Sequence, residues 1–421
     1  MPPNALPPEG GEQWRKVINS VVAKRILAGV QAARRELVEP GTGTVPTLDA
    51  LRTLAIVLVF SDHTRASFLE VSGRDSPFFW FPLFHFGWTG VDLFFVLSGF
   101  LIGKQLWREL FDTGTIRVGR FLLRRGLRIW PYYFFVVAAI MIANGAHGAG
   151  RYWPDLLFIS NYIAGGIGGG WSLSTEEQFY VLVPLFLLAT RRILPFRFQW
   201  VPIFAIGCAL PAIRAVTLSA FGPHTHGESA LFFVTYAPIH THCDGLLAGL
   251  LLAWIAIANR KVIETRGFLS NFGLPAALAL IGVTLRWFNQ DLFAFSGLAL
   301  FYLGATIFSL RDRAWLREFA SARTFHVLSR LSYAIYLNHF VVLRSVMPDI
   351  WPRLLANLPH DLAFLFGYGT AFALSTILAL FTFTIVELPF LRFRDRWLMK
   401  DRGSPVEQPV LAAESGSRVR T

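Results

Sequence analysis

The chain has 421 residues, 54% of them hydrophobic and only 16% charged, with 40 Phe and 13 Trp. An ordinary soluble domain carries about 25% charged residues, so the composition excludes a water-soluble globule and reads as an integral membrane protein. The formal net charge of +12 raises the question of nucleic acid, but the basic residues fall in short blocks between apolar segments. That is how a multi-span protein marks its cytoplasmic loops, which leaves the lipid bilayer as a partner and no nucleic acid.

The N-terminal stretch EQWRKVINSVVAKRILAGVQAARREL puts Trp14, Val17, Ile18, Val21 and Val22 at helical spacing beside basic residues. It reads as an amphipathic helix on the inner leaflet or against the bundle, so residues 1–45 are taken as a cytoplasmic N-terminal segment. No compact series of positive, apolar and small residues marks a cleavable signal peptide. Ten apolar runs follow, roughly 50–70, 83–104, 127–145, 177–192, 199–219, 240–258, 269–287, 292–310, 326–346 and 362–388, most near the length a span needs. The fourth is short, and the eighth follows the seventh almost directly. With the N-terminus inside, the inner segments hold 31 of the 39 Lys and Arg. The positive-inside rule then predicts an all-α polytopic membrane helix bundle of about ten transmembrane helices, both termini cytoplasmic. Residues 46–395 form the transmembrane domain, and the polar stretch 396–421 reads as a disordered cytoplasmic tail. Cys208 and Cys243 both lie in or beside apolar runs, so no disulfide framework is implied. No internal repeat and no soluble second domain is visible.

Charged side chains inside a bilayer are rare and usually functional. The run RTLAIVLVFSDH begins with Arg52 and ends with His63, about 16 Å further along a helix. His63, Asp92 and Glu177 stand roughly 18, 18 and 21 Å above the inner ends of their spans, so three elements place ionisable groups at similar depth and one shared polar site is expected. His63 suits proton transfer because imidazole titrates near neutrality. Its neighbour Asp62 points elsewhere on a helix, so Glu176, Glu177 or Asp92 is the expected partner. The alternative is a structural histidine hydrogen-bonded across helices. The inner loop RVGRFLLRRGLRIWPYYF carries Arg117, Arg120, Arg124, Arg125 and Arg128. Arg125 and Arg128 are three apart, on one face of a helix, and guanidinium pairs grip phosphate bidentately. Ordinary lipid anchoring is the competing reading.

The Gly-rich stretch GGIGGGWSLSTEEQFY lacks the Lys-Ser/Thr of a phosphate loop. Its glycines are expected to let an outer loop fold back and line a cavity. Ser172 and Ser174 stand outside any nucleophile-elbow context. His224, His226, His240, His242 and Asp244 match no standard zinc spacing, and no metal is expected. Trp171, Ser174, His242 and Asp244 are candidates for acceptor binding.

Seven pieces in order carry a resemblance: LDALRTLAIVLVFSDH (48–63), GWTGVDLFFVLSGFLI (87–102), FLLRRGLRIWPYYF (121–134), WSLSTEEQFYVLVPL (171–185), CDGLLAGLLLA (243–253), LSYAIYLNHF (331–340) and VELPFLRF (386–393). Together they resemble the acyltransferase-3 family of bacterial integral membrane O-acyltransferases. The resemblance implies a multi-pass protein of the bacterial inner membrane. It would move an acyl group, usually acetyl, onto a hydroxyl of a cell-envelope carbohydrate, with acetyl-CoA or another acyl-CoA as donor. It maps the family's basic residue and histidine onto Arg52 and His63, its arginine pair onto Arg125 and Arg128, and its acidic motif onto Glu176 and Glu177. Relatives often carry Thr-Arg-x-Asp where this chain has Thr241-His242-Cys243-Asp244, which leaves the role of His242 open. Some relatives append an extracytoplasmic hydrolase-like domain, and this chain is expected to complete the transfer in the bundle or through a separate protein.

The expected mechanism has acyl-CoA phosphates at Arg125 and Arg128, with Arg124 and the rest of the loop steering. His63 is the general base, oriented by Glu176 or Glu177, with Ser98 or backbone near Gly99 as oxyanion donor. Arg52 serves the donor path or pairs with Glu387, and an acyl-histidine intermediate is the covalent alternative. Acylation of a small molecule or a lipid-linked oligosaccharide is a second reading. A secondary transporter or polysaccharide exporter with a buried proton relay is the rival class, although no inverted repeat supports it.

Overall fold

The computed structural model describes residues 36–39, 45–222, 232–259, 272–311 and 313–400, with 146, 147, 149 and 397–400 described for backbone alone. Most of the N-terminal amphipathic segment, His224, His226 and the tail beyond 400 lie outside the described residues. Of the N-terminal segment, Leu37 is buried, and Glu36 accepts a 2.8 Å ion pair from Arg330.

A helix stands at each of the ten apolar runs. In chain order these are α1 (Pro46–Ser72), α2 (Gly90–Thr113), α3 (Val118–Asn144), α4 (Gly170–Ile193), α5 (Trp200–Phe221), α6 (Asp244–Ala258), α7 (Leu274–Phe288), α8 (Gln290–Leu310), α9 (Arg323–Ser345) and, after α10 (Met347–Asn357), α11 (His360–Thr382). A π turn, Phe383–Glu387, joins α11 to α12 (Leu388–Lys400). Among the described residues there is no strand.

Among the described residues, five helical stretches are long and apolar enough to cross a membrane: Gly87–Thr113, Val118–Asn144, Phe196–Phe221, Gln290–Leu310 and His360–Arg396. The protein is a multi-pass membrane protein. The other predicted spans fall short for two physical reasons. Helices α6 and α7 are 15 residues each, about 22 Å long against a hydrocarbon core of about 30 Å. Helices α1, α4 and α9 are long enough but carry ionisable side chains, Arg52, Asp62 and His63 among them on α1, and those residues line the interior.

The structure departs from the sequence expectation at helix ends and in one additional helix. The fourth helix begins at Gly170 rather than 177, because Trp171 to Glu177 is already helical. The third begins at Val118, so Arg120, Arg124, Arg125 and Arg128 stand on a helix and not on a loop. Helix α10, hidden in what reads as an outer loop, buries Met347 and Trp351 completely, with Trp351 Nε1 donating to Ser67 Oγ at 3.2 Å.

Helix α2 packs along α6, α7 along α8, and α9 lies between α1 and α11. The α2–α6 contact is close because Gly99 and Gly249 bring one helix backbone against the other; a Cβ at Gly99 would run into the Leu246 carbonyl, and one at Gly249 into the Val96 carbonyl. This seam fixes α2, which contributes to both cavities described next.

Candidate active site

His63 faces α9, where Tyr336, His339 and Phe340 recur at i, i+3 and i+4 on one side of the helix. Its Nδ1 is 2.9 Å from His339 Nε2, and His339 Nδ1 is 3.1 Å from the Ile335 carbonyl oxygen. A carbonyl only accepts, so His339 Nδ1 carries the proton. In neutral His339, Nε2 is then bare and accepts from His63 Nδ1–H. The chain of bonds leaves His63 Nε2 as a free lone pair, the tautomer a general base requires. Phe340 packs on both rings, with centroids 4.4 Å from His63 and 4.3 Å from His339. His339 is wholly buried, while His63 is only partly so.

His63 borders a cavity of about 500 Å³ shared with Asp62, Trp88, Trp171, Tyr236 and Arg344, within the usual 300–1,000 Å³ of small-molecule sites. Half of its wall is not regular helix. It comes from Ser160, Ala164, Gly165, Ile167, Gly168 and Gly169 of the loop before α4 and from Phe232, Phe233 and Tyr236. That loop is tied down by Asp155, fully buried, whose Oδ2 accepts from Gly166 N at 2.6 Å and Ile167 N at 3.2 Å.

A second, smaller cavity of about 150 Å³ is built entirely by α1, α2, α3, α4 and α9. It gathers Arg52, Arg125, Arg128, Glu176 and Glu177 with Ser98 and Tyr180. Arg52 NH1 lies 4.0 Å from Asp49 Oδ1, and Asp49 is itself held by His326 Nδ1 and Ser329 Oγ, each at 2.8 Å. Arg125 NH2 donates to Gln105 Oε1 at 3.1 Å. Tyr180 OH donates to Glu176 Oε2 at 2.8 Å, and Trp130 Nε1 to Glu177 Oε2 at 2.9 Å. Three guanidinium groups lining one cavity can hold the phosphates of a polyanion. Arg124 does not line it. Glu387, the alternative partner for Arg52, sits on the π turn after α11 and is not the residue Arg52 pairs with.

The expected single site is corrected. His63 bonds to His339 and to no carboxylate among the described residues; Asp62 takes Arg65 at 3.1 Å. Glu176 and Glu177 belong to the Arg52 cavity. Asp92 lines neither cavity and instead receives His242 Nε2 at 2.9 Å. His242 Nδ1 meets the Tyr236 carbonyl at 2.6 Å, so both ring nitrogens are used inside the protein, and its ring lies against Trp171 and Phe295. Asp244 is bound by Arg214, which donates from NH1 at 2.9 Å and NH2 at 3.3 Å, and by Ser296 Oγ. Ser174 is buried and bonds Ser160 Oγ at 2.8 Å. Of the four acceptor-binding candidates, only Trp171 borders the His63 cavity; His242, Asp244 and Ser174 tie helices and loop together. Ser98 lines the Arg52 cavity and bonds Tyr180 OH at 3.2 Å, while Gly99 serves the α2–α6 seam, so neither stands at His63. His240 bonds Tyr162 OH at 3.1 Å, and among the described residues no three His, Cys, Asp or Glu side chains converge as metal ligands.

His339 was not singled out from the sequence. The signal was present in LSYAIYLNHF, where a histidine interrupts an apolar run, as His63 does.

A family profile described as an acyltransferase domain matches residues 45–385. A provisionally named O-acetyltransferase of Staphylococcus aureus (strain COL) is 26% identical over 335 residues, covering 72% of this chain and 51% of that protein. Peptidoglycan O-acetyltransferase OatA of Listeria monocytogenes is 24% identical over 356 residues, covering 74% and 52%. O-acetyltransferase OatA of Staphylococcus aureus (strain NCTC 8325 / PS 47) is 25% identical over 327 residues, covering 71% and 50%. The chain thus spans about half the length of the curated relatives it matches. No solved structure gives a significant match. With the profile extending over the whole helical region that builds both cavities, the chain belongs to the acyltransferase-3 family.

Proposed function

We propose that this protein is a bacterial inner-membrane O-acyltransferase of ten spans, with both termini cytoplasmic. It carries an acyl group, acetyl by preference, from acyl-CoA to a hydroxyl of a cell-envelope carbohydrate. The peptidoglycan named in one relative makes a glycan acceptor the first to test. The observation that carries the reading is the bond chain Ile335 carbonyl–His339–His63, which leaves His63 Nε2 bare in a cavity that adjoins the arginine-lined slot.

In this reading acyl-CoA enters the Arg52 cavity, its phosphates held by Arg125 and Arg128, with Arg52 deeper along its path. The acceptor sits in the His63 cavity. His63 Nε2 takes the hydroxyl proton as the oxygen attacks the thioester carbonyl carbon. The carbon–oxygen bond forms, the carbon–sulfur bond breaks, and the proton held on His63 passes to the departing CoA thiolate. His339 is a positioning residue: it accepts from His63 Nδ1–H and so holds the reactive tautomer.

The direct test is transfer from labelled acetyl-CoA in vesicles containing the protein, with peptidoglycan fragments as acceptor and solute uptake measured in parallel. Label in the glycan supports acyl transfer, whereas uptake without label returns the exporter reading. Arg125→Ala with Arg128→Ala is expected to raise the KM for acyl-CoA about tenfold or more, the loss of at least one charge-assisted phosphate contact, with the acceptor KM nearly unchanged. An unchanged donor KM removes these residues from the donor site. At His339, Leu should lower kcat by about 10²-fold, within the range of a lost base. Gln, which still offers an acceptor to His63 Nδ1–H, should recover most of it. Equal losses in both variants would reduce His339 to a packing role.

A further inference from the structure

The two cavities share two lining residues, Val91 of α2 and Tyr336 of α9. Tyr336 OH is 2.5 Å from Ser172 Oγ and 3.0 Å from the Gly169 carbonyl oxygen, to which it donates. The phenol therefore spans from α9 to the first turn of α4, at the boundary the two cavities share. Gly169 caps α4 at φ +72°, and a Cβ there would stand 2.9 Å from both Tyr336 OH and Phe340 Cε2. Glycine at this position gives the ring its seat as well as the loop its turn. One turn further along α9 lies His339, its ring centroid 5.8 Å from that of Tyr336.

We propose that Tyr336, latched to Ser172 and Gly169 and lining both cavities together with Val91, is the neck between the donor slot and the His63 cavity, and that it selects the acyl group by size. The inference rests on the transfer reading above and adds a specificity-determining residue to it. A donor in the slot reaches His63 Nε2 only with its acyl end past this ring. An acetyl group adds one methyl beyond the carbonyl, whereas a longer chain must share the passage with the phenol. Each surplus methylene in a fitted apolar passage costs about 1–3 kcal/mol, or 10–200-fold in rate, so a short neck is sufficient for sharp selection.

The test uses membranes of the native host, which contain the natural acceptor, from a deletion strain expressing each variant at equal level. Labelled acetyl-, butyryl- and hexanoyl-CoA are supplied, and label is followed into all glycan, lipid and small-molecule fractions. Wild type should favour acetyl over hexanoyl, and Tyr336→Ala should narrow that kcat/KM ratio by about tenfold or more. Val91→Ala, which widens the same passage from α2, should move the ratio in the same direction, and it decides the matter if the alanine at 336 prevents folding. An unchanged ratio in a variant that still transfers acetyl overturns the neck and leaves the transfer reading standing. No label from any donor in wild type overturns the transfer reading, and the neck with it.

Discussion

Replacement of His63 by alanine is expected to lower acyl transfer by about 10²–10⁴-fold, the usual worth of a positioned proton acceptor, with the protein present in membranes at its normal level. The expectation follows from the direction of the bonds around it. His63 Nδ1 is committed to His339, 2.9 Å away, so only Nε2 remains for substrate, and among the described residues lining its cavity the one other imidazole or carboxylate is Asp62. Asp62 is engaged by Arg65, and the acidic pair Glu176 and Glu177 borders the other cavity. The same lone pair also suits a nucleophile, so the covalent route has its own measurement. Labelled acyl-CoA without acceptor should leave no label on the peptide containing His63 if the imidazole acts as a base, and should label it if an acyl-histidine forms. Turnover retained in His63→Ala would remove the residue from both roles.

The second large effect is on stability. Arg214→Ala should destabilise the folded protein by about 3–5 kcal/mol, the cost of leaving a buried charge without its partner. Arg214 is wholly buried, and its guanidinium donates to Asp244, Ser296 Oγ and the carbonyls of Leu292 and Thr241. It ties α5, α6 and α8 together beside the His242–Asp92 pair. Asp244→Ala alone should cost a similar amount by stranding the guanidinium. The double replacement Arg214→Met with Asp244→Leu should recover much of the loss, since exchange of a buried pair for apolar residues of similar bulk is often nearly neutral. The measurement is thermal unfolding in detergent, monitored by helical circular dichroism. A normal melting temperature in Asp244→Ala, together with a raised KM for acceptor, would return Asp244 to the substrate.

These residues also show which part of the architecture can be read without a structure. Position along a helix axis is legible: each residue adds about 1.5 Å, and the ten apolar runs all coincide with helices. Position around the axis is not. His63, Asp92 and Glu177 were placed together by depth alone, and they separate because each points in its own direction: His63 toward α9, Asp92 toward His242, and Glu177 toward Trp130. The arginine slot was easier, because Arg125 and Arg128 lie within one turn and Glu176 and Glu177 are adjacent, so local spacing already fixes most of the geometry. His339 was hidden by a different habit of reading. A carboxylate is the natural partner to seek for a histidine, whereas here the partner is a second imidazole whose proton is fixed by a helix carbonyl.

The uneven construction of the two cavities has a consequence for how such a protein diversifies. The arginine slot is made only of helices whose packing the rest of the bundle depends on, so substitutions there disturb the whole fold. The His63 cavity takes half its wall from the loop 160–169 and the turn 232–236, segments of the kind that accept insertion and exchange far more readily. If, as proposed, the arginine slot takes the donor and the His63 cavity the acceptor, inheritance can hold the first constant while rewriting the second, and descendants of one scaffold can come to decorate unlike molecules from a common supply of activated acyl groups.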